Sequence, residues 1–207
     1  MSKIDLKKNL QHLYTASPKE IAIVDVPPLH FLLAEGKGDP NTAPAFQHAT
    51  ETLFRLSYTL KFMLKKEQAL DYTVMPLEGL WCADELTAFA EERKAEWQWT
   101  LMIQQPGFVT RENVAAAMEL AQNKKNASPL HDTTFGRFAE GLSAQLLYVG
   151  PYSDEAPTIA RLHTFIKEKG YHFGGKHHEI YLSDPRRTAP EKLKTILRQP
   201  ISLEAMK

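Results

Sequence analysis

The sequence contains one cysteine, Cys82, in 207 residues. A single thiol forms no internal disulfide, so a fold stapled by cross-links is excluded. Charge of one sign is equally scarce: Lys plus Arg and Asp plus Glu each number 25. Without a basic excess the surface has nothing to draw nucleic acid or anionic lipid, and no direct nucleic-acid partner is expected. Long apolar runs are missing as well, because Glu, Gly or Pro interrupts each candidate short of the roughly 20 residues a bilayer-crossing helix needs. No membrane partner is expected. The opening MSKIDLKKNLQHLY has no apolar segment behind its lysines, which makes the cytoplasm the expected compartment.

Several chemical signatures are also absent. His177-His178-Glu179 superficially suggests a metal centre, but adjacent strand residues point in opposite directions and there is no HExxH or Cys-His spacing. Neither a metal nor a cofactor is expected. Gly174-Gly175-Lys176 lacks the frame of a phosphate loop, Ser143 and Ser153 sit in no nucleophile elbow, and Cys82 after Trp81 reads as core.

What is present is an ordinary globular composition, 43% hydrophobic, arranged as alternating strand and helix patterns. Residues 1–18 read as a lead-in arm. IAIVDVPPLHFLLAEGKGDP gives two β-rich runs split by Pro27-Pro28. Asn41-Thr42 then supplies N-cap residues for a helix of about 20 residues, with Phe46, Ala49, Leu53, Leu56, Leu60 and Leu64 on one stripe. DYTVMPLEGLWCA and AEWQWTLMIQQPGF read as strands. A connecting helix over 110–125 is capped by Thr110.

The second half repeats the order: FAEGLSAQLLYVGPYSD as a strand, APTIARLHTFIKEKG as a helix stopped by Gly170, and HHEIYLSDP as a strand. Thr188 with Glu191 forms a capping-box pattern before KLKTILRQPI. The expected fold is therefore α+β, two β-α-β-β modules (19–109 and 129–207) joined by a helical segment over 110–128 and forming one domain, 19–207. Duplicated modules of this kind pack about a pseudo-two-fold axis as antiparallel sheets with helices on one side. The groove between them is the natural ligand site.

The chemistry-bearing candidates fall on the strands. Glu179 and Tyr181 share one face of theirs, and Ile180 and Leu182 share the other. With the apolar pair under the helices, Glu179 and Tyr181 are expected on the open side. A glutamate among aromatics loses hydration, which raises its pKa and suits it to proton transfer or to meeting a cation. The competing reading makes Glu179 an exposed strand residue or an ion-pair partner of Arg186 or Arg187. Glu78 of PLEGLW holds the corresponding place in the first module. Trp81, Trp97 and Trp99 offer faces for a planar ligand, with core packing as the alternative. Phe173 joins the ligand-binding candidates, and Tyr152, after Gly150-Pro151, offers a hydroxyl at the pocket rim.

Taken together, Gly150-Pro151-Tyr152, Gly170-Tyr171, the run His178-Glu179-Ile180-Tyr181-Leu182-Ser183-Asp184-Pro185-Arg186, Thr195-Ile196-Leu197-Arg198 and Pro200 resemble the GyrI-like small-molecule-binding domain. The resemblance continues upstream through Pro76-Leu77-Glu78-Gly79-Leu80-Trp81 and Trp99-Thr100-Leu101-Met102-Ile103, and so covers roughly residues 18–203. It implies a duplicated β-α-β-β fold, a small hydrophobic or planar organic ligand, and a pocket in which the glutamate at Glu179 takes part. Stand-alone members with these segments resemble hydrolases of cyclopropane-bearing DNA-alkylating natural products. Cys82 departs from the pattern, standing where a second aromatic is expected.

On that basis the expected function is a detoxifying hydrolase. Glu179 is its general base, Tyr152 or Tyr181 the hydrogen-bond donor to the substrate carbonyl, and Trp81, Trp97 and Trp99 the stacking surface. The alternatives are a non-catalytic drug-binding or sensing module and a protein-interaction role such as binding a topoisomerase. Oligomeric state is not legible.

Overall fold

The lead-in arm forms two single-turn helices, α1 (Leu6–Asn9) and α2 (Gln11–Tyr14). The computed structural model describes residues 4–83, 93–123 and 128–203. Two compact units divide the chain. One comprises Met1–Asn9, Leu29–Leu77 and Trp81–Phe138, and the other Leu10–Pro28, Glu78–Leu80 and Ala139–Lys207, each over its described residues. Both mix antiparallel strands with few helices, so the α+β class expected from the sequence holds.

In the first unit β2 (Leu29–Lys37) pairs with β4 (Gln98–Gln105) and with β5 (Thr134–Phe138). The long helix α3 (Pro44–Gln68) lies on β2 and β4 through the row Leu53, Leu56, Leu60 and Leu64, all fully buried. Its start is Pro44, whose fixed φ suits a first helical position, and not the Asn41-Thr42 pair; no side chain caps it. Helix α4 (Arg111–Gln122) opens on a capping box in which Thr110 and Asn113 satisfy each other's backbone N–H. The last residues expected of this helix, Lys124 and Lys125, lie outside the described residues.

The second unit holds an antiparallel run in the order β1 (Ala22–Val26), β6 (Gly141–Val149), β9 (Lys194–Ser202), β8 (His177–Tyr181). Glu78–Leu80 of β3 (Leu77–Cys82) follows beside β8, and the two-residue β7 (His172–Phe173) pairs with the end of β9. Thus β1, early in the sequence, pairs with β6 of the second half. The strand expected over FAEGLSAQLLYVGPYSD is β6, which opens at Gly141 with φ 74°, while Phe138 closes the separate strand β5. The capping-box pattern at Thr188 and Glu191 yields only a 3-10 turn, Pro190–Lys192, and KLKTILRQPI becomes β9. Strand pairing on both sides of β9 overrides the local helix signal.

Helix α5 (Ala156–Glu168) covers one face of this unit's strands, Leu162 and Ile166 packing with Ala144, Leu146, Tyr148, Leu197 and Ile201. Directly paired residues share a face. Glu179 pairs with Leu197 and Tyr181 with Thr195. Glu179 and Tyr181 therefore point to the face that α5 covers, which corrects the expectation that they occupy the open side. The apolar Ile180 was a misleading guide because the reverse face is buried too.

Candidate functional site

Strand β8 places His177, Glu179 and Tyr181 on the α5 side. Glu179 is 8% exposed, and its Oε2 accepts a 2.8 Å hydrogen bond from the Tyr181 hydroxyl. Its Oε1 lies 3.6 Å from His177 Nε2. From above, Glu155 hydrogen-bonds Glu179, carboxyl to carboxyl. Glu155 Oε2 is buried and accepts no hydrogen bond from an N–H or from a neutral hydroxyl. Tyr152, in the 3-10 turn Tyr152–Asp154 that leads into α5, sets its ring edge-on to Tyr181 at 5.7 Å and 81°.

Two carboxyls in hydrogen-bond contact need a proton between them, and burial favours keeping it. Glu155 is raised well above the carboxylate range by loss of hydration, then by the charge and hydrogen bond of Glu179. Glu179 is raised by burial as well, with Tyr181, Glu155 and His178 pulling part of the way back. Burial, then Glu179 and Glu155, push the Tyr152 hydroxyl up to about 12, so it remains a donor. Burial first, then His163 and His178, lowers His177 to about 3, which leaves a neutral imidazole. The arrangement can hold one proton, release it, and accept another.

Phe173 on β7 packs against His163 of α5, ring centroids 4.7 Å apart, with Lys167 Nζ 5.7 Å from its own ring centroid. It is 38% exposed, at the margin of the same covered face. Arg186 forms an ion pair with Asp184, 3.0 Å away, and no ion pair of Glu179 with Arg186 or Arg187 is present among the described residues.

The reverse face of β8 carries a second polar group. His178 meets Glu78 Oε2 at 3.0 Å and Glu140 Oε1 at 2.8 Å. Arg198 of β9 donates to Glu140 Oε2 at 3.0 Å, to Gln145 at 2.9 Å and to the Leu13 carbonyl at 2.6 Å. Tyr14 of α2 donates to Glu78 Oε1 at 2.7 Å. Burial opposes charging both His178 and Glu140, but their contact prevails: Glu140 and Glu78 raise His178 to about 9, and His178 with Arg198 lowers Glu140 to about 2. Glu78, expected among the ligand-binding residues, is 1% exposed with both oxygens engaged by protein groups. Its place is a closed structural network.

In the first unit Trp81 and Trp99 are buried, at 6% and 1% exposure, and pack on Phe46, which stacks on Trp81 at 5.9 Å and meets Trp99 edge-on at 5.3 Å. Trp97 lies edge-on to Trp81 at 5.8 Å and is half-buried. Trp81 and Trp99 thus serve the core of this unit.

Sequence reasoning missed Glu155. It stands just before Ala156-Pro157, where an acidic residue ordinarily faces the helix N-terminus, and nothing in the local pattern turns it toward β8.

The sequence profile of the GyrI-like small molecule binding domain matches residues 19–202. The chain belongs to this family. Among solved structures this GyrI-like chain is similar to a conserved protein of Listeria innocua described as uncharacterized, 39% identical, TM-score 0.88, over 97% of this chain and 100% of that one. It is likewise similar to a structure from Listeria innocua named a hydrolase, 37% identical, TM-score 0.86, with the same coverage. The EcmrR C-terminal domain, 9% identical over 88% of this chain and 97% of its own, shares the fold at TM-score 0.55. No curated protein sequence matches the chain.

Proposed function

We propose that this GyrI-like small-molecule-binding protein is a detoxifying hydrolase that adds water to the strained cyclopropane ring of DNA-alkylating natural products. The observation that carries the reading is the buried Glu155–Glu179 carboxyl pair with Tyr181 in contact. In the proposed step Glu179 takes a proton from water as the oxygen attacks a ring carbon. The ring C–C bond breaks, its electron pair moves to a conjugated carbonyl oxygen, and the proton taken by Glu179 passes to that oxygen, so that one water is added overall and the carboxylate is restored. Tyr152, held protonated, donates a hydrogen bond to that oxygen as charge develops. The similarity at 37% identity to Listeria innocua structures named hydrolases favours chemistry over binding alone.

The test is incubation with a cyclopropane-bearing alkylator, followed by mass spectrometry for the gain of one water. Wild type should turn over repeatedly. Removing a proton-transfer group as Glu179→Gln should slow turnover roughly 100- to 10,000-fold. Unchanged turnover in Glu179→Gln would sink the assigned role, and ligand retention with no product would leave a binding protein.

A further inference from the structure

Glu155 occupies the N-cap position of α5, yet its side chain makes no capping hydrogen bond to that helix. An acidic side chain at a helix start ordinarily meets free backbone N–H groups there. This one instead reaches β8 and bonds Glu179, and its Oε2 is buried with no N–H or hydroxyl donor on it. A local interaction has been given up for a distant one. The charge that acts on Glu155 is that of Glu179, and Glu155 acts in turn on the neutral hydroxyls of Tyr148 of β6 and Tyr152 of the preceding turn. The cationic His178 faces the other side of β8, where Glu78 and Glu140 engage it.

We propose that Glu155 is the positioning partner of Glu179: as a neutral acid it donates its proton in a hydrogen bond to Glu179, holding that carboxyl ionised and oriented inside a buried site. The role of Glu155 in turnover rests on the proton-transfer reading given above, but its protonation does not. In the neutral form it supplies Glu179 with a second donor beside the Tyr181 hydroxyl. When it ionises, two like charges face each other and the pair separates.

Glutamine at 155 imitates the neutral acid and cannot ionise, whereas alanine removes the donor. Turnover in Glu155→Gln should stay within about threefold of wild type and lose its alkaline decline, while Glu155→Ala should fall roughly 100-fold. A second readout needs no substrate: infrared spectroscopy of the unliganded protein at neutral pH should show a protonated carboxylic acid that Glu155→Gln abolishes. Absence of that band in wild type, or a Glu155→Gln variant as impaired as Glu155→Ala, would overturn the proposal. If wild type turns over no cyclopropane substrate, the hydrolase reading falls and the infrared band alone decides the state of Glu155.

Discussion

Individual side chains divide into those that hold charge and those that hold a proton. Glu140 is ionised because His178 and Arg198 both touch it. Glu140→Ala would leave two buried cations with one remaining carboxylate, and stability should fall by roughly 3–5 kcal/mol, read as a lower urea midpoint. A variant with an unchanged midpoint would show that the network contributes nothing net. Glu179 was legible in the sequence as a desolvated strand glutamate because period-2 alternation and aromatic neighbours are local facts. The face it points to was not, because that depends on which strand lies opposite, and Leu197 is 18 positions away. Glu155 was illegible for the same reason.

Among the elements, helix ends and close approaches carry the clearest expectations. A Cβ on Gly36 would overlap the Trp99 ring, so Gly36→Ala forces the buried indole to move and should cost about 1–3 kcal/mol in urea unfolding. Ala69, at the end of α3, adopts a left-handed φ of 59°. Ala69→Gly should raise the melting temperature, by about 1 kcal/mol of added stability. Helices α3, α4 and α5 were readable from apolar stripes and from Thr110, Pro157 and Gly170, since these signals act within a few residues. The last strand was not, for its capping-box pattern is outweighed by pairing with β6 and β8, a contest between local and long-range terms that a single stretch of sequence does not display.

For the molecule as a whole, these charges set how stability follows pH. His178 sits at about 9 in the folded chain against 6.5 ordinarily, so its contribution is complete below about pH 6.5 and is lost as pH rises through about 9. Glu140, lowered from 4.5 to about 2, contributes fully above about pH 4.5 and loses its share as pH falls through about 2. His177, buried neutral, adds an acid-side loss: the unfolded chain takes up its proton below about 6.5, while the folded one resists until about 3. The raised Glu155 and Glu179 resist ionisation, so their share is complete below about pH 4.5 and is lost as pH rises, through about 7 for Glu179 and about 9 for Glu155. Urea midpoints should therefore be highest at mildly acidic pH, roughly 4.5–5, falling steadily toward about pH 9 and falling again below about pH 4; a flat profile would contradict these assignments.

Strand β8 assigns its odd and even positions to different tasks. His177, Glu179 and Tyr181 are held against α5 by pairing that depends on backbone, whereas His178 and Ile180 secure the reverse face. Such a strand is a natural unit of evolvability. A library varying only 177 and 181 should yield folded proteins with changed ligand preference, while one varying 178 and 180 should yield mostly unfolded chains, so new specificities can be explored in one half of a five-residue segment while the other half preserves the scaffold.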